Sequence, residues 1–285
     1  MSHLQEVAIQ RAAMDTIVSL TSVFEGIASM RIAQTKSQVQ QSQEFFSELW
    51  NIYSQLRVDK TFHYGRTKHE QKTSDKQLYI AITSEGGFSG DIDQKLIRTL
   101  LEHHDPAKQD IIVIGHHGAT QLIQQKVAFK KYFTLPTKDR AINVAPLIAE
   151  ASSYKNTVVF YETYVSLMVQ DVKSIDLITA VKEVAKEVTE GEATISEATY
   201  IFEPSTFDVV VHLERSMMQI ALSQVILESK LAQYASRFRA MSVAKDRATQ
   251  LHDNLTMLYN RTKRRTQDER LKEMINGLRK TGVNT

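Results

Sequence analysis

Several groups of residues in this chain have types and spacing that could do chemistry. Thr83-Ser84-Glu85-Gly86-Gly87-Phe88-Ser89-Gly90 lies between an apolar run and a helical pattern. Phosphate-binding loops occur at such places, where backbone N–H groups at a helix start face an anion. The stretch has neither the Lys-Ser/Thr pair of a P-loop nor the G-x-G-x-x-G spacing, so a tight turn using glycine's positive φ is the simpler account. His103-His104 and His116-His117 offer imidazoles. Neighbours on a helix point about 100° apart, and no cysteine is present to complete a zinc site. Asp91 and Asp93 could hold a divalent cation, but a helix's first turn favours acids without one. No Ser-His-Asp order or nucleophile elbow is visible. The residues therefore assign no catalytic group, no cofactor site and no metal site, and the expectation is a chain that is not itself an enzyme.

Charge is the remaining feature. Arg261-Thr262-Lys263-Arg264-Arg265 follows Arg237, Arg239, Lys245 and Arg247. Such a stripe could meet nucleic acid or an acidic protein surface. It could also be a solvated face, because Asp268 and Glu269 stand four residues after Arg264 and Arg265, and Glu273 three after Arg270. The net charge of +2 argues for nucleic acid only weakly.

The elements that must carry these residues divide into two kinds. Between Gly191 and Gly277 there is no glycine, and after Pro204 no proline. Either residue is costly inside a helix, so a helix from about Phe207 to Asn276 is expected, on the order of 100 Å long at ~1.5 Å per residue. Leu227, Leu231, Tyr234, Phe238, Met241, Ala248, Leu251, Leu255 and Leu258 keep steps that place one apolar stripe on it. Leu4 to Leu56 holds no proline and one glycine, Gly26, with Leu4, Val7, Met14, Ile17, Val18, Phe24, Ile27 and Ile32 at helical spacing. Two such helices at opposite ends of one chain suggest an antiparallel coiled coil. Two separate surface helices on a large domain are the alternative.

The middle reads as α/β. Gln77–Thr83 and Asp110–Gly115 are apolar runs of buried-strand type. Helical patterns follow at Asp91–Leu101 and Ala119–Phe129. Thr157–Tyr161 and Val165–Val172 look like strands that could pair as a hairpin, and Thr179–Val188 like a helix. Strand–helix alternation implies a parallel, Rossmann-like layer. The expected organisation is a helix over 1–60, an α/β domain over 76–203 and a helix over 207–280, with His63–Lys76 as linker. The chain is 42% hydrophobic and 24% charged, with no cysteine. No disulfide or thiol nucleophile is available. No uncharged apolar stretch of membrane length stands out; Met217–Leu227 is the most apolar candidate and is short. The N-terminus lacks the features of a signal peptide, which points to a cytosolic compartment.

With these residues in place, the chain resembles the gamma subunit of F-type ATP synthases over nearly its whole length. Tyr200-Ile201-Phe202-Glu203-Pro204-Ser205, Leu227-Glu228-Ser229-Lys230 and Ala232-Gln233-Tyr234-Ala235-Ser236-Arg237-Phe238-Arg239-Ala240-Met241 carry the strongest likeness. Leu258-Tyr259-Asn260-Arg261 resembles the family's later Tyr-Asn-Lys/Arg step. Ser84 to Asp93 is similar, without gaps, to the family's Ser-Asp-Arg-Gly-Leu-Cys-Gly-Gly-Leu-Asn, with Ser89 at the cysteine position. Ile114-Gly115-His116-His117-Gly118 resembles its second strand and turn. Near the C-terminus Glu273 and Gly277 fit the family signature, whereas Arg270 replaces a glutamate. Arg31-Ile32-Ala33 stands where Lys-Leu-Arg is usual, and the early basic cluster is missing. These departures are those of a divergent or alternate F-type branch.

The resemblance implies a rotor without cofactors. Its terminal helices would turn inside a ring of alpha and beta subunits. The α/β domain would sit beside epsilon and the membrane ring of c subunits, peripheral to the cytoplasmic face of the cell membrane, with no nucleic-acid partner. It implies Arg31, Arg237, Arg261, Arg264 and Arg270 as candidates for contact between rotor and stator. Two other readings stay open: a coiled-coil adaptor or nucleic-acid binder using the basic stripe, and a small α/β nucleotide-binding enzyme.

Overall fold

A computed structural model describes residues 3–55, 74–135, 142–154, 156–186, 203 and 205–281. Its elements run α1 (His3–Gln55), β1 (Gln77–Ile82), α2 (Ile92–Glu102), β2 (Gln109–Ile114), α3 (His116–Gln124), β3 (Lys131–Phe133), α4 (Ala145–Ala151), β4 (Thr157–Tyr164), β5 (Gln170–Asp176), α5 (Leu177–Lys186) and α6 (Thr206–Thr281). They form two compact units. Met1–Ile27 with Phe238–Thr285 is one, and Ala28–Arg237 is the other.

The first unit is a pair of helix segments from α1 and α6. Lys245 Nζ donates to Glu25 Oε2 at 2.5 Å, and the Arg11 guanidinium lies 4.6 Å over the Tyr259 ring. Fourteen residues back along α1 match fourteen forward along α6. The pair is therefore antiparallel, and the step is two heptads. Its buried seam is narrow: Val7, Thr21, Met241 and Ala248 are its buried residues. The apolar stripe expected from the sequence is wider than that seam. Ile17, Phe24, Ile27, Leu251 and Leu258 remain exposed, because one partner helix covers only the a/d positions of a broader face.

The second unit is built on a five-stranded sheet of order β3-β2-β1-β4-β5. The pairs β1–β2, β1–β4 and β2–β3 are parallel, and β5 closes the edge antiparallel to β4. The pleat sends Leu78, Ile80 and Ile82 to one face and Tyr79 and Ala81 to the other. Both faces are covered, which is why β1 and β2 read as continuous apolar runs. Tyr79, Ala81, Ile111, Val113 and Phe160 pack with Leu96, Ile97 and Leu100 of α2 and Leu122 of α3. On the opposite face Leu78, Ile80, Ile112 and Val159 meet Phe46 of α1, Leu147 and Ile148 of α4, and Met217, Ala221, Leu222 and Ile226 of α6. Trp50 stacks on Phe46 at 6.2 Å between ring centres, and Tyr53 donates to Glu214 of α6 at 3.0 Å.

Differences from the sequence reading have local causes. The second middle helix spans His116–Gln124 rather than Ala119–Phe129, because Gly115 at φ 100 starts it directly after β2. β3 and α4 were not anticipated. β3 has three residues, and α4 has seven with a proline in its first turn, where the missing N–H costs nothing. The hairpin is present, but β4 runs on to Tyr164 and Val165–Val169 form the turn. Among the described residues, a long apolar helical window lies in α1 rather than at Met217–Leu227. Its mean hydropathy reaches 1.2, long and apolar enough to cross a membrane by length and composition, and only 11% of it is buried. Residues 56–60, the linker over 63–73 and most of the Tyr200–Ser205 motif lie outside the described residues.

Candidate functional site

In an open parallel sheet the ligand crevice lies beyond the strand C-termini, where the strand order reverses. Here that point falls between β1 and β4. The loop after β1, the start of α3 and the middle of β4 converge there.

Thr83 fixes the floor. Its hydroxyl donates to the Ile114 carbonyl at 2.9 Å and accepts from Gly118 N–H at 3.0 Å. Phe88 and Gly90 turn the loop through φ of 67 and 72. The loop then folds around an acid of its own. Asp93 is 2% exposed. It accepts hydrogen bonds from Ser84 N–H at 2.7 Å, Ser84 Oγ at 2.5 Å and Ser89 Oγ at 2.8 Å, and lies 3.1 Å from His117 Nδ1. Burial pushes the Asp93 pKa up, but the bonds from Ser84 and Ser89 and contact with Glu162 outweigh it and hold Asp93 below the ordinary aspartate value. The anion of this cradle is thus the chain's own carboxylate.

The crevice mouth is closed by α6. Ser236 Oγ donates to the Ser89 carbonyl at 2.6 Å. Arg237 donates to the Gly87 and Gly86 carbonyls at 3.0 and 3.1 Å. Thr163 Oγ1 donates to Glu228 at 2.5 Å, and Glu162 N–H reaches Ser229 Oγ at 3.5 Å. The Ser84 and Ser89 donors and the Gly86, Gly87 and Ser89 carbonyls of the loop are thus engaged within the chain itself. Chemically, the arrangement is a polar latch between sheet and helix.

Asp91 is exposed at the N-cap of α2, apart from the buried Asp93. His103 bonds the Thr99 carbonyl at 2.8 Å, and His116 is exposed beside Thr120. His104 packs by Tyr79, with its pKa lowered by burial. Among the described residues no cluster of His, Asp and Glu could hold a metal.

The five arginines fall in different settings. Arg237 is committed to the latch and lies 5.7 Å over the Tyr234 ring. Arg31 is half-exposed on α1 and reaches Gln34 at 3.5 Å. Arg261, Arg264 and Arg270 are exposed on α6, and among the described residues they enter no ion pair. The expected local pairing occurs at Arg265–Glu269, 3.0 Å. Glu162 escaped the sequence reading, and Ser229, Gln233 and Ser236 entered it only as members of family motifs, without this role. Their signal was there: a lone acid inside an apolar strand, and polar residues at steps of four and three on an otherwise apolar helix face.

Fold and site define a class: an α/β platform that clasps the chain's own long C-terminal helix and leaves its ligand crevice filled. The sequence model of the family described as ATP synthase matches residues 3–279. The chain belongs to this family. It is 22% identical to the ATP synthase gamma chain of Flavobacterium psychrophilum, over 97% of this chain and 98% of that one. It is 22% identical to the gamma chain of Mycoplasmoides gallisepticum, over 98% of this chain and all of the other. Among solved structures, a chain of the Euglena gracilis mitochondrial ATP synthase (OSCP/F1/c-ring, rotational state 3) superposes with TM-score 0.63 at 15% identity, over 96% of this chain and 94% of that chain. One from the central stalk/c-ring of the Tetrahymena thermophila enzyme gives 0.57 at 17% identity, over 79% and 99%. These likenesses share the fold, and the resemblance to gamma subunits stands on the full-length family match.

Proposed function

We propose that this chain is the gamma subunit of an F-type ATP synthase, the central-stalk rotor that couples ion flow through a membrane ring to ATP synthesis or hydrolysis in an alpha/beta ring. The observation that carries this reading is the family match from residue 3 to residue 279, with gamma-chain relatives covered from end to end. The physics of the chain supports it. A rotor needs a stiff helix, and α6 runs 76 residues with a single glycine near its end. Its contacts with a stator must be reversible, and Arg261, Arg264 and Arg270 are exposed polar side chains that enter no ion pair among the described residues. Its partners in this reading are the alpha and beta subunits, epsilon and the c-subunit ring, at the cytoplasmic face of the membrane. Chemistry then belongs to the ring, and this chain is non-catalytic. A nucleotide-binding enzyme is the poorer reading, since the Asp93 carboxylate already takes the Ser84 N–H and the Ser84 and Ser89 hydroxyls and would repel a phosphate there.

The test is purification of the tagged chain from its native membranes at low salt, with identification of the co-purifying chains. Alpha-, beta- and epsilon-like subunits, with several alpha and beta copies per copy of this chain, are the expected result. Recovery of nucleic acid without an ATPase ring would instead favour the basic-stripe adaptor.

A further inference from the structure

Glu162 sits on β4, pointing into the seam that α6 covers, and is fully buried. Neither of its carboxyl oxygens makes a hydrogen bond of good geometry, and the neighbouring Gln233 amide donates to Ser229 at 3.2 Å. The carboxyl of Asp93 lies beside it, so two acids occupy one dry space. An ionised Glu162 would leave two negative charges adjacent and two acceptors unsatisfied. A neutral Glu162 can donate its one proton to Asp93, which removes the adjacent charges and satisfies one of its two oxygens, leaving the other to face the Gln233 amide. Asp93 is the better acceptor of the two, because Ser84 and Ser89 already donate to it.

We propose that Asp93 and Glu162 share a single proton, and that this proton locks α6 onto the C-terminal edge of the sheet. The lock is distinct from the rotor reading, because it is a property of the isolated chain.

The surroundings of Glu162 fit. β5 presents Val172 directly opposite it, flanked by Asp171 and Lys173, which lie on exposed positions. α2 contributes Asp93, and α3 contributes His117, which touches Asp93. α6 contributes Gln233, Glu228 on Thr163, the buried Lys230 and the Arg237 guanidinium over the loop. Gln233 is the neighbour that favours the charged form, and its amide is shared with Ser229 at 3.2 Å. Burial first, and then Asp93, push the Glu162 pKa well above the carboxylate range.

The sign follows from linkage. In the locked state Glu162 keeps its proton, whereas after local opening it ionises as an ordinary glutamate. Opening therefore releases a proton throughout the window above the ordinary glutamate pKa and below the raised one. In that window the opening equilibrium rises about tenfold per pH unit. Asp93 has the opposite linkage, present only at acid pH, because its folded pKa is lowered.

Two measurements on the purified full-length chain test the lock. Hydrogen exchange, corrected for intrinsic rate, is followed against pH in peptides from 157–164 and 228–237. As pH rises between the ordinary glutamate pKa and the raised one, wild-type protection falls about tenfold per pH unit, whereas in Glu162→Gln, which keeps the shape and a permanent donor, that slope disappears. Infrared spectra supply the second measurement. Within that pH window the wild type shows the C=O stretch of a buried protonated carboxylic acid, and Glu162→Gln lacks it. A wild type without that band, or equal slopes in both proteins, overturns the proposal. The wild-type band and slope decide the matter even where the variant fails to fold.

Discussion

A Cβ at Gly115 would stand 2.1 Å from the Thr83 carbonyl oxygen, on a backbone whose φ is already 100. Both clash and strain act at once, so Gly115→Ala is expected to lose about 2–5 kcal/mol of stability, read as a fall in the urea midpoint at unchanged slope. A variant with wild-type stability would mean that the loop after β2 takes another path. Arg237 makes a second residue-scale prediction. The family resemblance implies it as a rotor–stator candidate, and its guanidinium also holds two loop carbonyls of the latch. Arg237→Ala should cost about 1–2 kcal/mol in the isolated chain, allowing for partial solvent screening. The exposed Arg264, replaced in the same way, should stay within about 0.5 kcal/mol of wild type, and equal effects from the two would refute the latch. Sequence could show that the loop is a turn with glycines where the chain must bend back. It could not show that Asp93 fills the loop, because that depends on a serine five residues from another serine turning its hydroxyl inward.

The long helices were legible because propensity and the absence of breakers act locally, residue by residue. Strands β1 and β2 were legible for a related reason: burial on both faces makes them uniformly apolar. The seam in the first unit was not legible, since a stripe of leucines and isoleucines says nothing about how much of it one partner covers. Nor was the role of Phe46, which is wholly buried against the sheet although its neighbours Phe45 and Ile52 are exposed. Gly26 gives this scale its prediction. It lies inside α1 with nothing within 4 Å of where a Cβ would be. Glycine loses more backbone freedom than alanine on entering a helix, and no packing offsets that loss here. Gly26→Ala should therefore stabilise the chain by about 0.5–1 kcal/mol. Thermal unfolding of the isolated chain decides it; a lower midpoint would reveal a contact that needs the bare backbone.

As a whole molecule, the chain is held to itself by its buried polar groups and offers its exposed ones to others. The latch uses Asp93, Glu162, Gln233, Ser236 and Arg237 internally, whereas Arg31, Arg261, Arg264 and Arg270 stand at partly or fully exposed positions. Long cationic side chains without a fixed partner cost little to redirect, and a turning surface must redirect them at every step. If those arginines meet acidic loops of a surrounding ring, their joint replacement by alanine should leave the isolated chain's stability within about 0.5 kcal/mol per site. The assembled enzyme should nevertheless lose several-fold in ATP hydrolysis rate or in torque. The deficit should also shrink as salt rises, because screening weakens the wild-type contacts that the variant already lacks. The salt series distinguishes this from failed assembly, in which activity is low at every ionic strength and the ring does not co-purify. Unchanged hydrolysis and torque in a fully assembled complex would show that the ring grips another surface. The exposed apolar residues of α1, among them Ile9, Leu20 and Val23, would then be the next to replace.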